Sequence, residues 1–269
     1  MVSVRPFTAA DIPFGMSLVG QVGWNQRAED WRRMLRLQPD GGLVAEWEGR
    51  PAGTVMVCLF EDVAWVSMML VDAALRRRGL GRRLMEHALQ FAESRGAQTV
   101  RLDATPLGQP LYEQLGFQAD FPLERFVGQP RGGRRHPVVP CDPAAAAEWD
   151  RAITGTNRRR LLELLATEAP CWRLPNWQGY ITYRLGGTAV QIGPCVAEDT
   201  AGPRLLEHVF DLFAGETVLL DIPCGHAAAR ALAEQCGLRP QRRLLRMTRG
   251  ARVVERTDSL WASFGPEKG

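Results

Sequence analysis

The densest chemistry in the sequence is Arg76-Arg77-Arg78-Gly79-Leu80-Gly81-Arg82-Arg83, where arginines crowd two glycines at the start of an amphipathic stretch. The first N–H groups of a helix have no internal partner, and the helix dipole adds partial positive charge there. Gly79 and Gly81 remove side chains, so phosphate oxygens can reach the backbone, and arginine's planar fork suits them. The combination is an anion cradle. Read alone, the same stretch is equally a solvated run of charge opening a helix, and one glycine-rich loop does not choose between the two. It lacks the G-x-x-x-x-G-K-[ST] of a nucleotide-hydrolase loop and the G-x-G-x-x-G of a dinucleotide fold.

The elements around the cradle determine what it can face. Residues 2–5 read as a short strand, and a helical region includes about 27–37. Strand-like runs follow at 43–48, 52–60 and 63–71, the last two separated only by Glu61-Asp62, which predicts an antiparallel meander. Leu80, Leu84, Ala88 and Phe91 then recur at helical spacing, and Ser94-Arg95-Gly96 stops that helix. A strand at 99–102 and a helix through Leu111, Tyr112 and Leu115 complete a β-α-β-α-β order, which predicts a mixed α/β sheet with helices on its faces. Residues 127–143 are rich in Gly, Pro and Arg without periodicity and read as a linker. Beyond them, helices are expected at 158–165, 203–213 and 227–236. A hairpin is expected around Gly186-Gly187, with further strands at 217–222 and 243–248.

The two halves echo each other. Residues 99–117 align with 217–238: each has a strand ending in Asp (Asp103, Asp221), then a helix closed by Glu-Gln-x-Gly. This reads as an internal duplication.

Composition sets the outer bounds. The 269 residues are 45% hydrophobic and 23% charged, a globular balance that suits two small domains better than one large one. There is no apolar run of membrane-spanning length and no signal-like N-terminus, so a cytoplasmic protein with free thiols is expected. The four histidines never fall at metal-ligand spacing, and no metal is expected. A net charge of +3 is too small to argue for nucleic acid, and the arginines at 131, 134 and 135 read as solvated linker. The only lysine is Lys268.

The strand ending Leu70-Val71-Asp72, followed by Arg76-x-x-Gly79-x-Gly81, resembles the R/Q-x-x-G-x-G/A acetyl-CoA signature of the GNAT superfamily of N-acetyltransferases. Downstream, Leu111-Tyr112-Glu113-Gln114-Leu115-Gly116-Phe117 is similar to that family's L-Y-x-x-x-G-F, and the resemblance covers residues 2–126. Residues 102–112, with Gly193-Pro194 in the second half, are similar to bacterial tandem GNAT proteins. The resemblance implies tandem GNAT-like domains, each a mostly antiparallel sheet with helices on both faces. They would be an N-terminal acetyltransferase domain at 1–126, a linker at 127–142 and a divergent C-terminal domain at 143–269.

The resemblance also implies roles. Arg76, Arg77, Arg78, Gly79, Leu80, Gly81 and Arg82 would hold the pyrophosphate of acetyl-CoA. Met69, Leu70 and Val71 would pair with the pantetheine arm, with a free N–H near Met69 or Leu70 stabilising the oxyanion. Tyr112 would protonate the departing thiolate. The base of the histone-acetylating branch would fall at Trp65 and does not carry over. Glu46, Glu61, Asp62, Asp103 or a water are left as candidates, with a structural role preferred for Asp103 and Asp221. Trp24 and Trp31 lie in the region that lines the acceptor site in GNAT enzymes, and Trp172 and Trp177 flank Pro175 in a loop that could reach the cleft. Cys58 lies inside a strand with no cue of activation, so an acyl-cysteine route is not expected.

In the second copy Ala233 stands opposite Tyr112, and Glu198 and Asp199 stand where a cradle would open. Only the N-terminal copy is therefore expected to bind acetyl-CoA, with the other shaping the substrate cleft or a dimer contact. The expected activity is acetyl transfer to a small-molecule or peptide amine by direct attack in a ternary complex, with a homodimer as a possible assembly and without membrane or nucleic acid. The alternative is a non-catalytic acyl-CoA-binding sensor or scaffold.

Overall fold

The computed structural model describes residues 2–132, 134–176, 178–198 and 200–267. Trp177, Asp199 and Lys268, singled out above, lie outside them. The first half runs β1 (Val2–Pro6), α1 (Ile12–Val22), α2 (Ala28–Leu37), β2 (Gly42–Trp47), β3 (Arg50–Phe60) and β4 (Val63–Val71). It continues through α3 (Leu80–Ser94), β5 (Thr99–Ala104), α4 (Gln109–Gln114) and β6 (Gln118–Gly128). The second half holds β7 (Val139–Pro140), α5 (Pro143–Thr154), α6 (Arg159–Ala166), β8 (Trp172–Arg173), β9 (Gly179–Leu185) and β10 (Val190–Ala197). It ends with α7 (Gly202–Leu212), β11 (Val218–Pro223), α8 (Ala227–Gln235), β12 (Arg239–Gly250) and β13 (Leu260–Ala262).

All the strands join one sheet in the order β1-β2-β3-β4-β5-β12-β6-β11-β10-β9-β8-β7, with β13 paired to β10. The order is palindromic about the β12–β6 pair, as a duplicated chain requires. No motif announced that β6 of the first half and β12 of the second each cross into the other half. β12 lies antiparallel between β5 and β6, and β6 between β12 and β11. The boundary expected after residue 126 thus falls inside β6, whose last residues pair with β11.

Two buried ion pairs sit at equivalent points of this exchange. Arg246 on β12 faces Asp103 on β5 with Nε–Oδ1 2.8 Å and Nη2–Oδ2 3.0 Å. Arg125 on β6 faces Asp221 on β11 with both contacts at 2.7 Å. The structural role preferred for Asp103 and Asp221 is their observed geometry.

Alternation along the strands divides the side chains between the two faces. Met56, Cys58 and Trp65 enter a core shared with α1, α2, α5 and α6 that spans both halves. Val55, Val57, Ala64 and Val66 meet Leu84 and Ala88 of α3 on the opposite face. The second half's counterpart is closed by Leu205, Val209 and Phe210 of α7. Trp31 is fully buried in the shared core, stacked on Phe7 with ring centroids 5.1 Å apart, and Cys58 is buried there too. Helix α5 was not read from the sequence, although Asp142 caps it (Ala144 N–H to Oδ1, 3.0 Å) and Pro143 opens it.

Candidate active site

The site begins with a break in β4. The β3–β4 register slips between Thr54–Leu70 and Met56–Ser67, and Met68 has a positive φ of 49°. One extra residue in a strand turns every later side chain to the other face. Trp65 enters the shared core, but beyond the bulge Met68 and Leu70 do so, while Met69 and Val71 turn toward α3. Thr54 Oγ1 holds the bulge by donating to the Met68 carbonyl at 2.9 Å.

The parallel β4–β5 pairing covers only Val63–Trp65 against Thr99–Arg101, although both strands continue. A V-shaped opening follows, bordered by the Met69–Val71 backbone. Met69 on its border lies against the first turn of α3, its Cε 3.0 Å from a Cβ built on Gly81, and Gly79 is that helix's left-handed cap (φ 82°), with open space where a side chain would stand. Arg76, Arg77, Arg78 and Arg83 are exposed and make no ion pair among the described residues. Arg76 Nε donates to the Val71 carbonyl (3.2 Å), and the Arg78 guanidinium lies 5.2 Å from the Trp47 ring centroid. Arg82 is engaged by Gln114 and, at 3.9 Å, by Glu86. The Leu80 side chain is buried, so its contribution to an anion site is its backbone N–H.

Tyr112 on α4 is buried, its ring edge-on to Phe117 with centroids 5.9 Å apart. Burial pushes its phenol up to about 12. Its hydroxyl makes no hydrogen bond among the described residues, and the ring borders a cleft with Ser67, Met68, Met69 and Asp103. Trp24 borders this cleft and Trp31 does not. Trp172 packs edge-on to His208 instead, 6.0 Å between centroids.

The far wall of the cleft escaped sequence reasoning. Gln26, Arg242, Leu244, Pro266 and Glu267 all border it. Arg242 and Leu244 arrive on the exchanged strand β12. Pro266 and Glu267 arrive on the chain beyond β13, where the Pro266 carbonyl accepts from Trp65 Nε1 at 3.2 Å. No local motif marks residues that long-range topology assembles.

The equivalent opening in the second half is filled. β10 pairs with β11 only at Val190–Gln191, and the register slips at Gly193-Pro194. Beyond that, β13 lies along β10, with Cys195 opposite Ala262, while Ser263 N–H donates to the Asp221 carbonyl at 2.7 Å. A Cβ on Gly202, at the start of α7, would come within 2.0 Å of the Trp261 ring. The chain's own strand β13 fills this second opening.

A mixed sheet with a bulged, splayed central strand beside a basic helix N-terminus is the architecture of a GNAT-type fold. The sequence model of the Acetyltransferase (GNAT) family matches residues 16–117, and an Acetyltransferase (GNAT) domain matches residues 146–262. The chain belongs to the GNAT acetyltransferase family and carries two copies of its domain. It is 30% identical over 236 residues to the uncharacterized N-acetyltransferase YitH of Bacillus subtilis (strain 168), covering 79% of each chain. A candidate acetyltransferase from Pyrococcus horikoshii superposes with TM-score 0.89 at 26% identity, covering 100% of this chain and 96% of that one. A tandem GNAT protein from the clavulanic acid biosynthesis pathway shares the fold with TM-score 0.66 at 17% identity, over 95% of this chain and 100% of that one. No helix among the described residues is long and apolar enough to cross a membrane, and no group of three or more His, Cys, Asp or Glu there could hold a metal.

Proposed function

We propose that the N-terminal half transfers an acetyl group from acetyl-CoA to an amine by direct attack in a ternary complex. The observation that carries this reading is the place where β4 and β5 part, since Met69 there both borders the Tyr112 cleft and reaches Gly81 in the first turn of α3, beside unpaired arginines. In this reading Arg76, Arg77, Arg78 and the first N–H groups of α3 hold the pyrophosphate, as a helix start with free cations favours. Met69–Val71 add their backbone to the pantetheine amides as a neighbouring strand would.

With the thioester carbonyl against the bulge, a backbone N–H of Met69 or Leu70 stabilises the oxyanion formed as the amine nitrogen attacks carbon. Collapse breaks the C–S bond and forms the amide. Tyr112 gives its proton to the leaving sulfur and regains the one shed by the attacking nitrogen, so no charge remains on the enzyme. Because burial makes an isolated tyrosinate costly, the two transfers are coupled. Asp103 does not act as base, since Arg246 holds both its oxygens.

The second half does not bind acetyl-CoA in this account, because β13 fills its opening. Calorimetric titration with acetyl-CoA tests this: one site per chain is expected, and two sites per chain, or none, would contradict it.

A further inference from the structure

Arg242 stands apart from the buried arginines around it. It occupies β12 directly opposite Arg125 on β6 and borders the Tyr112 cleft. Its Nε is enclosed yet has no hydrogen-bond partner, and the guanidinium makes no ion pair among the described residues. The nearby carboxylates Asp221 and Glu267 attract it through space but form no hydrogen bond or ion pair with it, and each is bonded to another arginine. Asp221 holds Arg125 through both oxygens, and Glu267 holds Arg184 at 2.6 Å together with Gln26. Burial, reinforced by the neighbouring Arg125 charge, draws the Arg242 guanidinium down to about 10.

A half-enclosed cation without a partner is unfavourable, and a protein keeps one where something else supplies the anion. In the reading above the pyrophosphate of acetyl-CoA does not meet this need, because none of the basic residues at the start of α3 borders the cleft that Arg242 lines. What enters beside Arg242 is the acceptor. Trp24, Leu244 and Pro266 give the cleft apolar walls, so an anion bound there meets arginine's fork in a partly desolvated setting, where charge-assisted pairing is strongest.

We infer that the acceptor is an amine that also carries an anionic group, a carboxylate or a phosphate, and that Arg242 of the second half binds that group while the amine faces the β4 bulge and Tyr112. The inference rests on the acetyltransferase reading above. It gives the exchanged strand a role in substrate choice: the N-terminal half supplies the chemistry, and the C-terminal half selects what is acetylated.

The test uses the full chain and matched probe pairs that differ only in the anion. The α-amino acids are compared with their amides, and phosphoethanolamine with ethanolamine. Binding is measured by calorimetry in the presence of coenzyme A, and coenzyme A release from acetyl-CoA is measured separately. An anionic member should bind about tenfold or more tighter than its neutral counterpart. Arg242→Gln should remove that preference and Arg242→Lys should retain part of it, with thermal melting confirming that both variants fold. Which pair shows the preference distinguishes carboxylate from phosphate. Equal binding within every pair, a preference that survives Arg242→Gln, or an equal loss of acetyl-CoA affinity in that variant would overturn the inference. Release of coenzyme A with neutral amines alone would sink it while sparing the acetyltransferase reading. An Arg242-dependent preference without coenzyme A release from any pair would support anion recognition and count against acetyl transfer.

Discussion

Asp103 and Arg246, 143 residues apart in sequence, meet as a buried bidentate pair where β12 of the second half lies against β5 of the first. Arg125 and Asp221 make the reciprocal pair. Each aspartate closes the duplicated strand of its own half, and each arginine comes from the strand the other half donates. Burial opposes the charge on Arg246, but Asp103 and Glu255 together hold it above arginine's ordinary value. The two halves are therefore coupled by hydrogen-bonded ladders and by charges that need each other.

Removing one partner strands the other in the interior. Asp103→Ala or Arg246→Ala should cost about 3–5 kcal/mol in urea denaturation. The double replacement Asp103→Leu with Arg246→Met should recover much of that loss, because it leaves no unpaired charge. A double variant less stable than either single one would contradict this account of the pair.

Acid should weaken the contribution of Asp221 and Glu255, whereas burial raises the Asp103 carboxyl and its contribution runs the other way. Burial raises Asp221 and Glu255, but the arginines beside them (Arg125 for Asp221, Arg246 and Arg101 for Glu255) outweigh it and hold both below the ordinary carboxylate range. Groups depressed in the folded state stabilise it above their unfolded value, near pH 4, and that contribution fades as pH falls toward the folded value. Stability followed by circular dichroism should be flat in these terms above about pH 5 and decline below about pH 4. A stability that rises on acidification through that range would contradict the assignment.

The cradle gives a charge-reversal prediction. Arg78→Glu should weaken acetyl-CoA roughly hundredfold by calorimetry, since it replaces a proposed phosphate ligand with a repelling charge. Gly81→Glu should do the same, because its Cβ would already meet Met69 Cε at 3.0 Å and its carboxylate would face the phosphates. Full affinity in both variants would remove the pyrophosphate from this helix start.

Replacing Tyr112 by Phe preserves the ring packing on Phe117 and removes the proton. The turnover number should fall about hundredfold, within the usual range for a positioned acid, with a much smaller change in acetyl-CoA affinity. Since burial takes the phenol to about 12, ionisation of Tyr112 should impose no descending limb on the rate profile below about pH 11. A decline centred near pH 10 that disappears in Tyr112→Phe would show an ordinary, solvated phenol.

Much of the proposed cofactor side could be put forward from the sequence because its signals are local. Gly79, the arginines beside it and Tyr112 lie within one strand-helix-strand-helix run, and hydrophobic period and glycine stops placed these elements within a few residues. The Asp103–Asp221 echo likewise exposed the duplication. The acceptor side was not legible, because Gln26, Arg242 and Glu267 meet only through the exchange of β6 and β12 and the path of the chain beyond β13. Alternation predicts which side of a strand is buried, but not which neighbour the strand will choose. The short β13 reads as unremarkable sequence, and its meaning comes from the opening it fills.

Acetyl transfer by the N-terminal half is tested most directly by coenzyme A release from acetyl-CoA with an amine panel, comparing the unaltered chain with Tyr112→Phe. The account predicts acceptor-dependent release, with the acetyl group recovered on the amine nitrogen and the rate reduced about hundredfold in the variant. Tight acetyl-CoA binding with no acceptor-stimulated release, or release indifferent to Tyr112, would contradict it.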